Sequence, residues 1–222
     1  MIMFKKSLCV AIMLPIMLPF SALAFDADDM LEAANSLANR EVIKDKSDKP
    51  SEYNLNDNVL RQEIGLIAWR LAKLEKNSSC SGLFKDITAI QPNDWACTHI
   101  EPLVENNLIS KNDYFRPEDN ITKAESLKML IKAIGYDFEY DPKSSVSWQE
   151  QYVAFAVDRE IVENFTDYDV TASRGWVFSV ADHVIVVKEK EEKEEEEMKK
   201  PEPKKTISDE VLKEIDAFES IL

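Results

Sequence analysis

The chain contains 222 residues and carries a formal net charge of −15 at pH 7. This acidity excludes nucleic-acid binding through general electrostatics, which needs an excess of Lys and Arg. It also predicts repulsion from anionic membrane surfaces, so any anionic partner would need a local basic pocket. With only two histidines and four glycines, the sequence offers no catalytic spacing and no phosphate-cradling loop. We therefore expect a non-catalytic protein without a cofactor or a metal site.

The first 24 residues have the layout of a secretory signal peptide. Two lysines precede an apolar run over residues 8–20, and small residues then lead to Ala24, as at an A-x-A-like cleavage site. The alternative is an uncleaved membrane anchor. The run is shorter than the roughly 20 residues needed for a span, and Pro15 and Pro19 interrupt it. The pattern therefore predicts cleavage after Ala24 and secretion.

Helical periodicity and turn signals predict a folded region over residues 25–187. It divides into three helix–loop–helix units at about 28–76, 84–137 and 145–187. In the first unit we expect helices at Met30–Ile43 and Leu60–Leu74. Leu60 offers no capping oxygen, so Asn58 is the alternative cap.

Cys80 and Cys97 lie beyond the predicted signal peptide. In an oxidising compartment two thiols predict a disulfide, which would stabilise the fold by about 3 kcal/mol. The alternative is two free cysteines, with Cys97 on the buried face of a helix. Export favours the disulfide.

The middle unit has the clearest local signals. Asp94 is expected to cap a helix that starts at Trp95. Thr122 and Glu125 have the spacing of a capping box at the start of a second helix, which Gly135 should end.

The third unit predicts helices at Trp148–Val162 and from Ser173 to about Val187. Residues 184–187 are also compatible with a strand. Ser173 can cap the second helix, but Trp176 occupies the position where Glu would complete the box.

The first two units share an ungapped pattern. Residues 53–69 match residues 115–131, which places Arg61 on Lys123 and Glu63 on Glu125. A weaker third copy begins near Trp148. Repeated units of this kind bury their apolar faces by packing on one another.

The motifs of the middle unit resemble those of S-layer homology (SLH) repeats. The matching residues are Phe84-Lys85-Asp86-Ile87, Asp94-Trp95, Phe115-Arg116-Pro117 and Ile121-Thr122-Lys123-Ala124-Glu125. The first unit matches through Tyr53 and 60–63, and the third through Trp148 and 173–176. The resemblance implies a mainly α fold with three tandem helix–loop–helix repeats in a pseudo-threefold assembly. It also implies a place on the outside of a bacterial cell.

The same resemblance implies non-covalent attachment to cell-wall glycan, often a pyruvylated secondary polymer linked to peptidoglycan. In the family, the cation of the helix-start motif contacts this polymer in grooves between units. Carried over by position, these cations are Arg61, Lys123 and Arg174. A guanidinium can hold a carboxylate through paired hydrogen bonds, and a helix N-terminus favours the same anion. The alternative is that these cations pair with the abundant acidic residues of the protein.

Tryptophans are the candidates for sugar stacking. Trp176, close to Arg174 in sequence, is the expected sugar platform. Trp95 and Trp148 start equivalent helices, and for both a core position is favoured over sugar stacking. Trp69 is also expected in the core.

The C-terminal part has two segments. Residues 188–205 are charged and contain two prolines, which predicts a solvated linker or a single exposed helix. Residues 206–222 predict an amphipathic helix with one apolar face, which either docks on the domain or binds a partner. An alternative function follows, in which the repeats are only a scaffold of a surface adaptor and residues 206–222 bind another protein.

Overall fold

The computed structural model describes residues 25–44, 50–88 and 94–199. The predicted signal peptide and the predicted helix over 206–222 lie outside these residues. Within them the fold is mainly α, with seven helices and no strand. The helices are α1 (Ala27–Asn39), α2 (Pro50–Tyr53), α3 (Arg61–Leu71), α4 (Asp94–Glu105), α5 (Lys123–Ala133), α6 (Trp148–Asp158) and α7 (Arg174–Lys199).

Side-chain caps set several of the helix starts. Asp26 accepts hydrogen bonds from the amides of Asp28 and Asp29, so α1 begins three residues earlier than predicted. The predicted capping box of α5 is confirmed. The Glu125 amide donates to Thr122 Oγ1 and the Thr122 amide donates to Glu125 Oε2, both at 3.2 Å.

The start of α3 keeps only half of such a box. Leu60 has no side-chain oxygen, but its amide donates to Glu63 Oε2 at 2.9 Å. The alternative cap, Asn58, makes no capping bond. At the other end of α5, Gly135 has a φ of +87°, a left-handed conformation that suits glycine and ends the helix as predicted.

The strand considered for residues 184–187 is wrong, because α7 runs without a break from Arg174 to Lys199. Val177, Val180, Ala181 and Val184 are fully buried at helical spacing, and this packing outweighs the β propensity of the valines. Residues 188–199 continue as helix, one of the two conformations expected for this segment. Lys–Glu pairs four residues apart line this helical extension.

Three short extended segments meet directly before α3, α5 and α7. We call residues 57–60, 119–122 and 170–173 the junction segments. The amide of Val59 donates to Ala172 O at 3.1 Å, that of Ala172 to Ile121 O at 2.9 Å, and that of Ile121 to Val59 O at 3.0 Å. These three bonds close a ring, and the three side chains are fully buried.

The first amide of each following helix extends this pattern. The bonds run from Arg61 N to Asp119 O (2.9 Å), from Lys123 N to Val170 O (2.9 Å) and from Arg174 N to Asp57 O (2.8 Å). The junction segments therefore hold the N-termini of three long helices beside one another.

The helices pack in an order that joins the two ends of the described chain. α3 packs on α4, α5 on α6, and α7 on α1. In addition, α5 packs against both α3 and α7. One apolar core spans these helices, and a smaller cluster lies between α4 and the loops around it.

The predicted disulfide is present at the smaller cluster. Cys80 and Cys97 are joined, with their Cα atoms 5.5 Å apart. The neighbouring Glu101 is fully buried. Its neighbours in the sequence are apolar and do not indicate what its carboxylate would bind. Its carboxylate accepts four hydrogen bonds from residues 81–83, at 2.7–3.0 Å. The disulfide and this carboxylate together hold residues 80–83 against α4.

The core position expected for Trp95 is wrong, because this residue is 37% exposed. The buried face of α4 instead contains Ala96, Cys97, Ile100 and Leu103, and Trp95 lies off that face. Trp69 and Trp148 are partly buried and pack against the main core, close to what was expected.

Candidate functional site

The three cations singled out by the sequence are the first residues of α3, α5 and α7, and each reaches the third residue of another of these helices. Arg61 Nη2 lies 2.5 Å from Glu125 Oε1, and Arg174 Nη2 lies 2.7 Å from Glu63 Oε1. At the remaining junction, Lys123 Nζ lies 5.4 Å from the centroid of the Trp176 ring. The pairing of both arginines with acidic residues is the alternative that the sequence left open. Their contact with a glycan stays a prediction.

These ion pairs use only some of the hydrogen-bond donors of Arg61 and Arg174. The side chain of Arg61 is 12% exposed and that of Arg174 is 23% exposed. The Nε atom of each is buried without a hydrogen-bond partner in the described part of the chain. One donor of each guanidinium is therefore unused by the protein atoms around it.

A cavity of about 690 Å³ opens beside Arg61. Its walls come from the loop after α4, from α5 and from the segment that leads to α6. Its charged lining consists of five basic and two acidic side chains. These are Arg61, Lys111, Arg116, Lys128, Lys132, Glu125 and Glu139. The cavity is thus a basic site in a strongly acidic protein, as an anionic ligand would require.

Arg116 lies at the mouth of this cavity and is 55% exposed. Its backbone is fixed, because Asp86 accepts hydrogen bonds from the amides of Phe115 and Arg116 at 2.8 and 2.6 Å. Its guanidinium makes only long contacts, at 3.7 Å to Asp119 and 3.5 Å to Glu125. The backbone is therefore rigid while most of the guanidinium faces solvent.

Glu125 connects the two arginines of the cavity. Its Oε1 lies close to both Arg61 and Arg116, and its Oε2 completes the capping box. Burial alone would raise the pKa of this carboxyl, but the hydrogen bond and charge of Arg61, the Thr122 amide and Arg116 lower it below its usual value. Glu125 is therefore ionised at neutral pH and fixes Arg61 at the cavity wall.

Aromatic side chains line the far end of the same cavity. Lys128 Nζ lies 4.8 Å from the Trp148 ring centroid, 5.3 Å from that of Tyr140 and 5.5 Å from that of Tyr152. Burial lowers the pKa of Lys128, and the nearby charge of Lys132 lowers it further.

Tyr114 lies in the cavity lining and is 57% exposed. Lys85 Nζ lies 5.6 Å from the centroid of its ring, so the opposite face of the ring is the one that a ligand could stack on.

A second cavity, of about 320 Å³, lies at the junction of α5 and α7. Lys123, Trp176, Phe165, Phe25 and Glu163 are among its lining residues. Trp176 is partly buried, and it packs edge-on against Phe165 with centroids 6.1 Å apart. Its ring faces Lys123, although its place in the sequence had suggested Arg174 as the neighbouring cation. Arg174 lines neither of these two cavities.

The sequence pattern missed several residues of the larger cavity. Arg116 belongs to a matched motif but was not singled out. Lys128 and Lys132 follow Glu125 at three and seven residues, a helical spacing that could have placed them on the same face of α5. Tyr140 comes from an irregular segment, and no local signal identifies it.

Comparison with known proteins supports a relation to cell-surface proteins. The family model of the S-layer homology domain matches residues 83–125, which include Arg116, Lys123 and Glu125. The Middle cell wall protein of Brevibacillus brevis is 22% identical over 138 residues, which cover 61% of this chain and 13% of that protein. The Surface layer protein of Brevibacillus choshinensis is 17% identical over 139 residues, or 62% of this chain and 12% of that protein. The chain thus spans about an eighth of the length of these curated relatives.

No described helix is both long enough and apolar enough to cross a membrane. Within residues 25–44, 50–88 and 94–199, no cluster of three His, Cys, Asp or Glu side chains could hold a metal ion.

Proposed function

We propose that this chain is a non-catalytic module that binds acidic cell-wall glycan at the surface of a bacterium. The observation that carries the proposal is the basic cavity beside Arg61, which concentrates five cations in a protein of net charge −15. The match to the S-layer homology domain supports the same function, as do the printed names of the two relatives, a cell-wall protein and a surface-layer protein. Export by the predicted signal peptide would bring the module to this location.

We further propose that the three tandem units are arranged about a pseudo-threefold axis. The ring of amide–carbonyl bonds among Val59, Ile121 and Ala172 supports it, because each residue donates to one of the others and accepts from the remaining one. The contacts Arg61–Glu125, Lys123–Trp176 and Arg174–Glu63 are also cyclic and run in the direction of the bonds made by the first amides of α3, α5 and α7, opposite to that of the ring. In such an arrangement the larger cavity is a groove lined mainly by the second unit, with Arg61 from the first unit and Trp148 from the third.

The chemistry of this groove suits a sugar polymer with carboxylate groups. Arg116 offers an exposed guanidinium on a fixed backbone. Because Glu125 already lies between Arg116 and Arg61, a carboxylate of the ligand would bind the solvent side of the Arg116 guanidinium and gain charge-assisted hydrogen bonds there. Tyr114 would stack on the face of the sugar ring that carries this carboxylate. The groove therefore combines charge recognition with an aromatic platform.

Binding to purified wall sacculi that carry an acidic secondary polymer tests the function. We expect Arg116→Ala to weaken binding by about tenfold or more, because it removes charge-assisted hydrogen bonds. Arg40→Ala is the matched control, since Arg40 is an exposed arginine that pairs with Glu189 away from the cavity. The control should bind like the wild type.

A truncation separates this function from the adaptor alternative. Removal of residues 200–222 keeps the contacts of α7 at Glu189 and Glu191 and should leave sacculus binding unchanged. If the truncation abolishes binding while Arg116→Ala has no effect, residues 206–222 bind a partner and the groove does not hold the wall.

A further inference from the structure

Lys128 is an unusual cation for the wall of a cavity. Its ammonium lies within 5.5 Å of three aromatic centroids, those of Tyr140, Trp148 and Tyr152. No carboxylate of the described chain lies within 4.0 Å of its Nζ. The neighbouring Lys132, by contrast, forms an ion pair with Glu139 at 2.6 Å. Lys128 is therefore held by rings that attract its charge but do not neutralise it.

The position of Lys128 differs from that of the arginines in the same cavity. Glu125, which contacts Arg61 and Arg116, lies three residues before Lys128 on α5. The helical rise places the two positions about 4.5 Å apart along the axis, and side chains at this spacing share one face. The carboxylate of Glu125 offsets charge at the arginine end of the cavity. At the Lys128 end, Glu139 forms an ion pair with Lys132, and no carboxylate forms an ion pair with Lys128 itself in the described chain.

We propose that Lys128 is a second anion-binding position in this cavity, separate from Arg61 and Arg116, so that the preferred glycan carries two acidic groups. This inference rests on the proposed function and specifies its ligand. One acidic group pairs with Arg116, and the other accepts a hydrogen bond from the Lys128 ammonium. The sugar at the second position packs against Tyr140 and Trp148, which line the cavity. An anion there would favour the charged form of Lys128 and so oppose the burial that lowers its pKa.

A purely structural role for Lys128 predicts a different behaviour. In that case its stem would only cover the aromatic rings, and a change to Met would alter stability without altering the choice of ligand. Lys128→Met keeps an unbranched, apolar side chain over the rings and removes the charge. Lys143→Met removes one charge from an exposed residue outside the cavity lining and is the matched control.

The test uses soluble fragments of the same acidic wall glycan, separated by charge into fragments with one acidic group and fragments with two. Binding is measured by calorimetry with the full chain. The wild type and Lys143→Met should bind the two-acid fragments at least tenfold more tightly than the one-acid fragments. Lys128→Met should bind both classes with similar affinity, and Lys128→Arg should restore the preference. Added salt should weaken the binding of the two-acid fragments less in Lys128→Met than in the wild type, because the variant lacks one charge contact that salt can screen.

Two failures are distinguishable. If the wild type binds the glycan but treats both classes alike, or if Lys128→Met keeps the preference, the second position is wrong and the proposed function stands. If the wild type binds neither class, the proposed function fails and the second position fails with it.

Discussion

Replacement of Glu101 by Gln tests how the loop before α4 is held. The carboxylate is fully buried and accepts from the Ser81 amide at 2.7 Å, the Ser81 hydroxyl at 3.0 Å, the Gly82 amide at 2.8 Å and the Leu83 amide at 3.0 Å. Gln keeps the shape but has one acceptor oxygen in place of two, and its NH₂ group would face an amide donor. The Ser81 hydroxyl can rotate to accept from this NH₂ group, which leaves one buried amide without a partner.

The expected loss follows from these bonds. One lost charge-assisted hydrogen bond costs about 1.5–3 kcal/mol, and the two bonds that remain on the amide oxygen are weaker without the charge. The lower cost of burying a neutral group opposes this loss. We expect a net decrease of about 3 kcal/mol in the free energy of unfolding, or about 6–12 °C in Tm for a domain of this size.

Thermal and urea unfolding, followed by circular dichroism, measure this loss. Glu105→Gln is the matched control, because Glu105 is an exposed residue on the same helix with one hydrogen bond to Asn77. The control should change the free energy of unfolding by less than about 0.5 kcal/mol. If Glu101→Gln is as stable as this control, the carboxylate does not fix the loop and the reasoning is wrong.

Three further predictions concern stability. The folded pKa of Glu125 lies below its usual value near 4.5, so its ionised form stabilises the fold above that pH, and the contribution is lost as the pH falls through the folded pKa. Glu125→Gln should therefore be less stable than the wild type at pH 7, by about 1–3 kcal/mol from the lost ion pair with Arg61; urea titrations should show the difference shrinking below pH 4, and a constant difference would contradict this. Gly175→Ala should destabilise the fold by about 1–2 kcal/mol, since the new methyl group would clash with the Met30 side chain and lie 3.1 Å from Leu55 O, and the cost of overpacking exceeds the gain in helix propensity; a higher Tm would refute it. Reduction of the disulfide should lower the free energy of unfolding by about 3 kcal/mol in urea titrations with and without reductant, and coincident curves would show that the link contributes nothing.

Local signals predicted the starts of α3, α5, α6 and α7 to within one residue, but not the start of α1. The capping box at Thr122 and Glu125 depends on residues three apart, so the sequence contains all the information needed for it. The end of α5 at Gly135 is equally local, because the position requires a positive φ. In contrast, α7 continues to Lys199, and its buried valines form helix because they pack on other elements.

The candidate site could be predicted only in part. Matching of the first two units placed Arg61 and Glu125 at helix starts, but it could not show that they pair with each other across two units. The buried carboxylate of Glu101 depends on amides about 20 residues earlier in the chain, and no periodicity reveals such a contact. The place of Lys128 on the same face of α5 as Glu125 could have been inferred from its spacing of three residues. Tyr140, in contrast, reaches the cavity through a loop whose path the sequence does not determine.

The position of the bound glycan tests the central claim most directly. Nuclear magnetic resonance of the ¹⁵N-labelled chain, titrated with soluble acidic wall glycan, reports the side-chain signals of Arg61 Nε, Arg116 Nε and the Trp148 indole in one experiment. We predict that these three signals shift together and saturate at the same glycan concentration, while the indole of Trp95, which does not line the cavity, stays unchanged. Saturable shifts confined to other parts of the chain, with these three signals unmoved, would contradict binding in this cavity.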